Sequence, residues 1–384
     1  DSRWTGFVGA TVKIWDLAQN LGTIGHEVTL FLPKYNFSHE KIPFKLVEIP
    51  FLNVPFLRRI SFNILLLFYL LRHNYFKKPD VIYMRRMSSV VPAIYARLRR
   101  SLFFYEVNDD PYGNTYHVGS WLLNTIRAYT SCKRDEINLK LCDRSFVITP
   151  EIKFKILKHL PALSPSKLIV AHSGANTELF RPLPMKKCRS NINLGIQKKY
   201  IGFVGSFLKH QGVEVLIDAV PRITEKEPRC QFIIIGEGPM REIWQQRSTD
   251  RGLNHHVTFT GQISYKQMPI WINSMDVCVA PFLKISGLRS PVKLFDYMSC
   301  GRPVVASRVD GTSDMFMQSG AIRLVPPEDA EKLACAILEL LANPEEAEQM
   351  GQRGRELVVE KYDRRKLAGL ISHTAISNSP SMQG

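Results

Sequence analysis

The chain has no CxxC pair, no DxD triplet and no uninterrupted apolar run of the ~20 residues that a bilayer span needs. Each absence removes a class of protein. The seven cysteines, at positions 132, 142, 188, 230, 278, 300 and 335, are odd in number, and several lie in apolar runs such as Asp276 to Ala280. That pattern fits buried free thiols in a reducing, cytoplasmic compartment rather than disulfides or a zinc site. Low-complexity tracts are also missing, and 45% hydrophobic with 22% charged residues excludes disordered and fibrous chains. The net charge of +16 comes without a zinc finger, helix-turn-helix or RNP signature, so no nucleic-acid partner is expected.

What is present begins with 384 residues, enough for two domains with a core each. Short apolar runs alternate with amphipathic helical patterns throughout, the rhythm of βαβ units on parallel sheets. The fold class is α/β with two Rossmann-like domains facing a cleft. Strands are expected in the first half at 27–32, 81–84, 102–106, 144–148 and 168–171, and in the second at 200–204, 231–235, 257–260, 277–280 and 303–306. Between the two sets, Phe180 to Ser190 is rich in proline and basic residues and reads as a linker. The expected division is 1–184, 185–370 and a tail over 371–384, frayed from about Ser377. A loop with Gly6 and Gly9 runs directly into a helical pattern with no strand before it, so the first strand of the N-terminal domain is expected to be missing, as in a fragment truncated by about ten residues.

Charge is uneven: residues 1 to 184 hold 25 Lys and Arg against 14 Asp and Glu, and the rest hold 26 against 21. The longest apolar run, Ile60 to Leu71, lies between Arg58, Arg59 and Arg72, Lys77, Lys78. It reads as a helix packed on a sheet, with a helix lying on a membrane surface as the alternative.

Three segments place chemistry at strand ends. The run IGFVGSFLKHQG is a strand, a glycine turn and a helix start, in which Gly205 lets a ligand approach the backbone and Lys209 and His210 add donors. The runs IIIGEGP and FTGQI are further strand ends with glycine turns, where open α/β sheets bind ligands; a purely structural turn is the alternative reading of each. In SGLRSPVKLFDYMSCGRPVVA, Ser290 suits an N-cap, Pro291 the first helical position and Gly301 the helix end. Ser290, Lys293 and Asp296 then share one stripe, suiting a diphosphate at the helix start and ribose hydroxyls one turn deeper. The plainer reading of Lys293 and Asp296 is a surface helix pair.

The order of FVGSF, IIGEGP, VTFTGQIS, DVCVAPF, SPVKLFDYMSCGRPVVAS and GQRGRELV, after LGTIGHEVTLF, PDVIYMRR, FVITPEIKFKIL and VAHSGANTELFRP, resembles the GT-B fold retaining glycosyltransferases of family 4 over nearly the whole chain. The resemblance implies donor phosphates at Gly205, Ser206 and Lys209 and at the turn Pro291, Val292 and Lys293. It also implies a base site at Gly261, Gln262 and Ile263, ribose at Asp296, and acceptor contacts from the first domain. Two departures stand out. Leu288 occupies the first place of the family's Glu-x7-Glu, and Ser206 and Gln211 stand where a cation is common, so the charge that neutralises phosphate is left to Lys209, Arg289 or Lys293. Near the reacting sugar, where the family often has histidine, Glu106 and Asn108 are the nearest polar candidates and His117 a weaker one.

The resulting expectation is metal-independent transfer from a nucleotide diphosphate sugar, without a cofactor, to a glycan or lipid-linked acceptor in polysaccharide biosynthesis. The basic first domain favours the inner face of the cytoplasmic membrane and peripheral contact with it. A nicotinamide dehydrogenase is excluded by the spacing of Gly202, Gly205 and Gly212. A sugar-nucleotide epimerase of the same architecture and a non-catalytic nucleotide-sugar-binding protein stay open.

Overall fold

The computed structural model of the protein describes residues 9–34, 42–52, 54, 57–73, 77–113, 121–284, 292–309 and 316–378, the side chains of 9–11 and 121–124 excepted. Two compact units result, one formed by Asp1–His172 with Arg365–Gly384, the other by Ser173–Arg364.

In the first unit, helix α1 (Gly9–Thr23) precedes a two-stranded parallel sheet of β1 (Thr29–Pro33) and β2 (Lys45–Ile49). Helix α2 (Leu57–His73) follows. A second parallel sheet has the order β3 (Val81–Arg85), β4 (Leu102–Val107), β5 (Arg144–Val147) and β6 (Leu168–Val170), connected through α3 (Val91–Arg99), α4 (Trp121–Leu141) and α5 (Pro150–His159). Strand β4 is buried along most of its length, as expected of a parallel strand covered on both faces. Strand β2 escaped the sequence reading because Lys45, Leu46, Val47 and Glu48 are only partly covered and give neither a clean alternation nor a continuous apolar run. Residues 1–8, with Gly6 and the expected strandless start, lie outside the described residues, and Gly9 opens α1.

The second unit opens with α6 (Met185–Asn191), followed by β7 (Lys199–Val204), α7 (Val213–Lys226), β8 (Cys230–Ile235), α8 (Arg241–Asp250), β9 (Val257–Gly261), α9 (Met268–Asn273), β10 (Val277–Ala280), α10 (Val292–Ser299), β11 (Val304–Ser307) and β12 (Arg323–Val325). Three helices close the chain: α11 (Ala330–Ala342), α12 (Pro344–Lys361) and α13 (Arg364–Asn378). The six strands are parallel in the order β12-β11-β10-β7-β8-β9. Alternate residues of β8 serve opposite faces: Phe232 and Ile234 pack with Leu216, Val220 and Trp244, while Ile233 and Ile235 join Leu294 and Met298. Chain order runs outward from β7 through β9 and then restarts at β10 on the other side of β7. The reversal therefore falls between β7 and β10, and the carboxyl ends there are where such sheets take ligands.

Two readings need correction. The stretch from Phe180 to Ser190 is no free linker. It contains α6, whose Arg189 is buried, donates to Asp276 Oδ2 at 2.6 Å and stacks on Tyr200. The change of unit comes earlier, between His172 and Ser173. Nor is 371–384 merely a tail, because α13 runs to Asn378 and its Leu367, Ala368, Ile371 and Ala375 cover Leu17, Phe104 and Phe146 of the first unit. Arg181 and Arg189 made the first stretch look solvated, yet Arg189 is a clamp inside the core.

All seven cysteines are free and five are buried. No helix among the described residues is long and apolar enough to cross a membrane.

Candidate functional site

The carboxyl ends of β7, β8 and β9 are laced together by main-chain hydrogen bonds. Gly205 N donates to Ile235 O at 3.0 Å, Gly236 N to Gly261 O at 3.0 Å, and Phe207 N to Glu237 O at 2.8 Å. Side chains would break the lacing: a Cβ on Gly236, where φ is +145°, would stand 1.8 Å from Gly205 O. Beyond β10, Leu283 N donates to His210 O at 3.1 Å, so the loop from Gly205 to Gly212 is held from both sides of the chain reversal.

Lys293, the second residue of α10, reaches into this loop. Its Nζ donates to Gln211 Oε1 at 2.5 Å and lies 3.8 Å from the Phe203 ring centroid and 5.4 Å from that of Phe282. A Cβ on Gly205 would sit 2.6 Å from that Nζ, so this glycine makes room for the ammonium group. Burial pushes the Lys293 pKa well below the ordinary lysine value. One turn on, the Tyr297 hydroxyl accepts from Val204 N at 2.7 Å and fixes α10 against the end of β7. Asp296 is half-buried in the same turn. After burial itself, its charge is one cause of the raised pKa of the Cys300 thiol and, more weakly, of the Tyr297 hydroxyl.

The structure thus gathers Gly205, Gly261 and Lys293 at one end of one sheet. Lys209, in the 3-10 turn Lys209–Gln211, is exposed, as are Ser206 and Gln262. Val292 opens α10 half-buried, and Ile263 lines a hollow of about 240 Å³ with Ile192, Gln267 and Trp271. Arg289, Ser290 and Pro291 lie outside the described residues, as does His117. Sequence reasoning passed over Gln211 as a partner, Phe203 and Phe282 as walls, and Glu237, which pairs with Arg241 beside Gly261. Gln211 and Lys293 are 82 residues apart, and no local spacing joins them.

At the strand ends of the first unit, Glu106 is buried and already engaged. It accepts from Lys13 Nζ at 2.6 Å and Tyr83 Oη at 2.7 Å, with Arg85 Nε at 3.6 Å. Burial works to raise its pKa, but Lys13 and Arg85 outweigh it and hold the carboxyl below the usual range. Asn108, with its amide oxygen turned toward Arg85, accepts from Nη2 at 2.9 Å and Nε at 3.1 Å. His172, just beyond β6, went unnoticed in the sequence; burial lowers its pKa, and Glu151 and Lys13 are among the charges acting on it. Glu106 is therefore the centre of a closed ion cluster rather than an open carboxylate.

The fold that carries this parallel sheet and its reversal is shared with solved structures. Sucrose-phosphate synthase from Thermosynechococcus elongatus matches with a TM-score of 0.76 over 97% of this chain and 94% of its own, at 22% identity. WaaG, a glycosyltransferase involved in lipopolysaccharide biosynthesis, matches with a TM-score of 0.74 over 95% and 96%, at 16% identity. The fold is that of the GT-B glycosyltransferases. The Glycosyltransferase Family 4 model matches residues 8–179 and the Glycosyl transferases group 1 model residues 198–343, and the chain belongs to glycosyltransferase family 4. Among curated proteins, the GDP-mannose-dependent alpha-(1-6)-phosphatidylinositol monomannoside mannosyltransferase of Mycolicibacterium smegmatis is 27% identical over 227 residues, 56% of this chain and 56% of that protein. The alpha-D-kanosaminyltransferase of Streptomyces kanamyceticus is 31% identical over 160 residues, 42% and 41% of the two chains. The chain spans about half the length of these curated relatives.

Proposed function

We propose that the chain moves a glycosyl group from a nucleotide diphosphate sugar to a glycan or lipid-linked acceptor, with retention of configuration and without a metal or cofactor. One observation carries the reading: Lys293 holds its ammonium group inside the glycine loop against a neutral amide and two aromatic faces, with no carboxylate paired to it among the described residues. An incoming diphosphate would bring negative charge to that ammonium group. As the sugar leaves, charge grows on that diphosphate, and a cation fixed in advance stabilises the transition state more than the ground state. Gly205 serves by leaving space, since its own N–H is committed to Ile235. Asp296 takes the ribose hydroxyls, Gly261 to Ile263 meet the base, and Lys209, exposed beside the loop, contacts the outer phosphate oxygens.

Retention rests on the family's motifs. A lipid-linked acceptor, and with it work at the inner face of the cytoplasmic membrane, is supported by relatives named for phosphatidylinositol monomannoside and lipopolysaccharide. Independence from metal rests on Lys293 as the cation for the leaving group, and turnover should survive a chelator. The test is a mass-spectrometric screen of GDP- and UDP-sugars for one consumed in the presence of a membrane-lipid extract. Consumption lost on Lys293→Ala supports the reading; no consumption of any donor by the well-folded native chain, or consumption unchanged by that substitution, refutes it.

A further inference from the structure

Helix α2 has two apolar faces where a packed surface helix needs one. Inward, Leu66 and Leu70 are buried against Ile49 and Tyr95. Outward stand Leu57, Ile60, Ile64, Leu67, Phe68 and Leu71, each between 38% and 63% exposed. At 100° per residue these six fall within a stripe roughly 100° wide along a helix about 25 Å long. The neighbouring α3 adds Ile94 and Leu98, 48% and 74% exposed. So large an apolar patch facing water marks a docking surface.

Charge decides what docks. Residues 49–105 contain ten Lys and Arg and a single acid, Asp80. Arg72, in the last turn of α2, flanks the outer stripe and is exposed, as are Lys78 and Arg100. A second copy of the chain would bring the same positive field and be repelled. A continuous anionic surface with an apolar interior accepts both the side chains and the charges. We propose that the outer face of α2, with the tip of α3, docks on an anionic lipid bilayer. The helix lies in the membrane plane, its leucine, isoleucine and phenylalanine side chains at the acyl boundary and its guanidinium groups on lipid phosphates. This goes beyond the transfer reaction and would hold for a water-soluble acceptor as well.

The test is co-sedimentation of the full chain with vesicles of phosphatidylcholine alone and of phosphatidylcholine with phosphatidylglycerol at roughly three to one. The native chain should pellet with the anionic vesicles at least about tenfold more strongly, and salt should weaken the binding. Ile64→Ser with Phe68→Ser should reduce that binding by about tenfold or more. Their side chains already face water, so melting temperature, elution volume and consumption of nucleotide sugar with a soluble acceptor should not change. Arg72→Ser with Arg100→Ser should weaken the anionic binding and flatten its salt dependence. Equal pelleting with both vesicle types, or native binding by the serine pair, overturns the proposal. So does a lipid-free dimer that the serine pair abolishes, which would assign the face to a second copy.

Discussion

The cations around Glu106 in the first unit and Lys293 in the second are held in opposite ways. At the strand ends of the first, Lys13 and Arg85 face Glu106, Arg86 faces Asp135, and Lys155 faces Asp110. At the strand ends of the second, Lys293 faces the neutral amide of Gln211. A cation already neutralised holds the fold, whereas one left against an amide is ready for an anion that arrives later. The first cluster should therefore matter mainly for stability and the second mainly for function.

The sharpest way to break this contrast is Lys13→Met, which leaves Glu106 buried without its nearest partner and should destabilise the first unit by ~3 kcal/mol, read by chemical denaturation. Glu106 has a lowered pKa in the folded chain, so its contribution exists above the unfolded carboxylate value near 4.3 and is lost as pH falls through the folded one. The gap between native and Lys13→Met should accordingly narrow on acidification. A variant as stable as the native chain would show that the cluster is not structural.

Next in size, Lys293→Met should lower turnover by ~10²-fold, about 2.7 kcal/mol of transition-state stabilisation, in steady-state kinetics. The same variant should be as stable as the native chain or up to ~1 kcal/mol more so, because an apolar side chain replaces a half-buried cation that rests on aromatic rings. Loss of stability together with activity would make Lys293 another fold-holding charge.

A third expectation concerns protons. Because the Lys293 pKa is depressed, the folded chain binds fewer protons than the unfolded one between the folded value and the ordinary lysine value near 10.4, so its contribution to stability falls as pH drops through that interval. A bound diphosphate favours the charged form. Nucleotide binding should then take up protons, and affinity should decline as pH rises above the lowered value. Calorimetry in buffers of differing ionisation enthalpy measures the uptake, which Lys293→Met should abolish. The smallest effect is expected of Asp296→Ala, which should mainly raise the donor KM by ~10-fold with turnover nearly intact, the pattern of uniform binding. A turnover defect matching that of Lys293→Met would merge the two roles.

Much of the second unit was legible because its parallel strands are buried on both faces and appear as unbroken apolar runs. Val277 to Ala280 is the clearest case, where expected and observed ends coincide. Strand β12 was missed for the opposite reason, being three residues with one buried. The glycine turns and the helix carrying Lys293 and Asp296 could be read locally. That Lys293 would rest on Gln211 could not, because only the fold brings them together. Glu106 was legible as a strand-end carboxylate, but the cations that close around it come from α1 and β3, elements with no sequence link to it.

The chain passes between the units twice, and the two passages are clasped: Ala175 N donates to Tyr362 O at 2.9 Å, Arg364 N to Ala175 O at 3.0 Å, and the Thr177 hydroxyl to Asp363. Because α13 returns to cover Leu17, Phe104 and Phe146, neither half is a cassette that a single cut releases. Recombination with a relative at one junction would graft a foreign lid onto the first core. A functional chimera has to inherit residues 1–172 and 365–378 from the same parent.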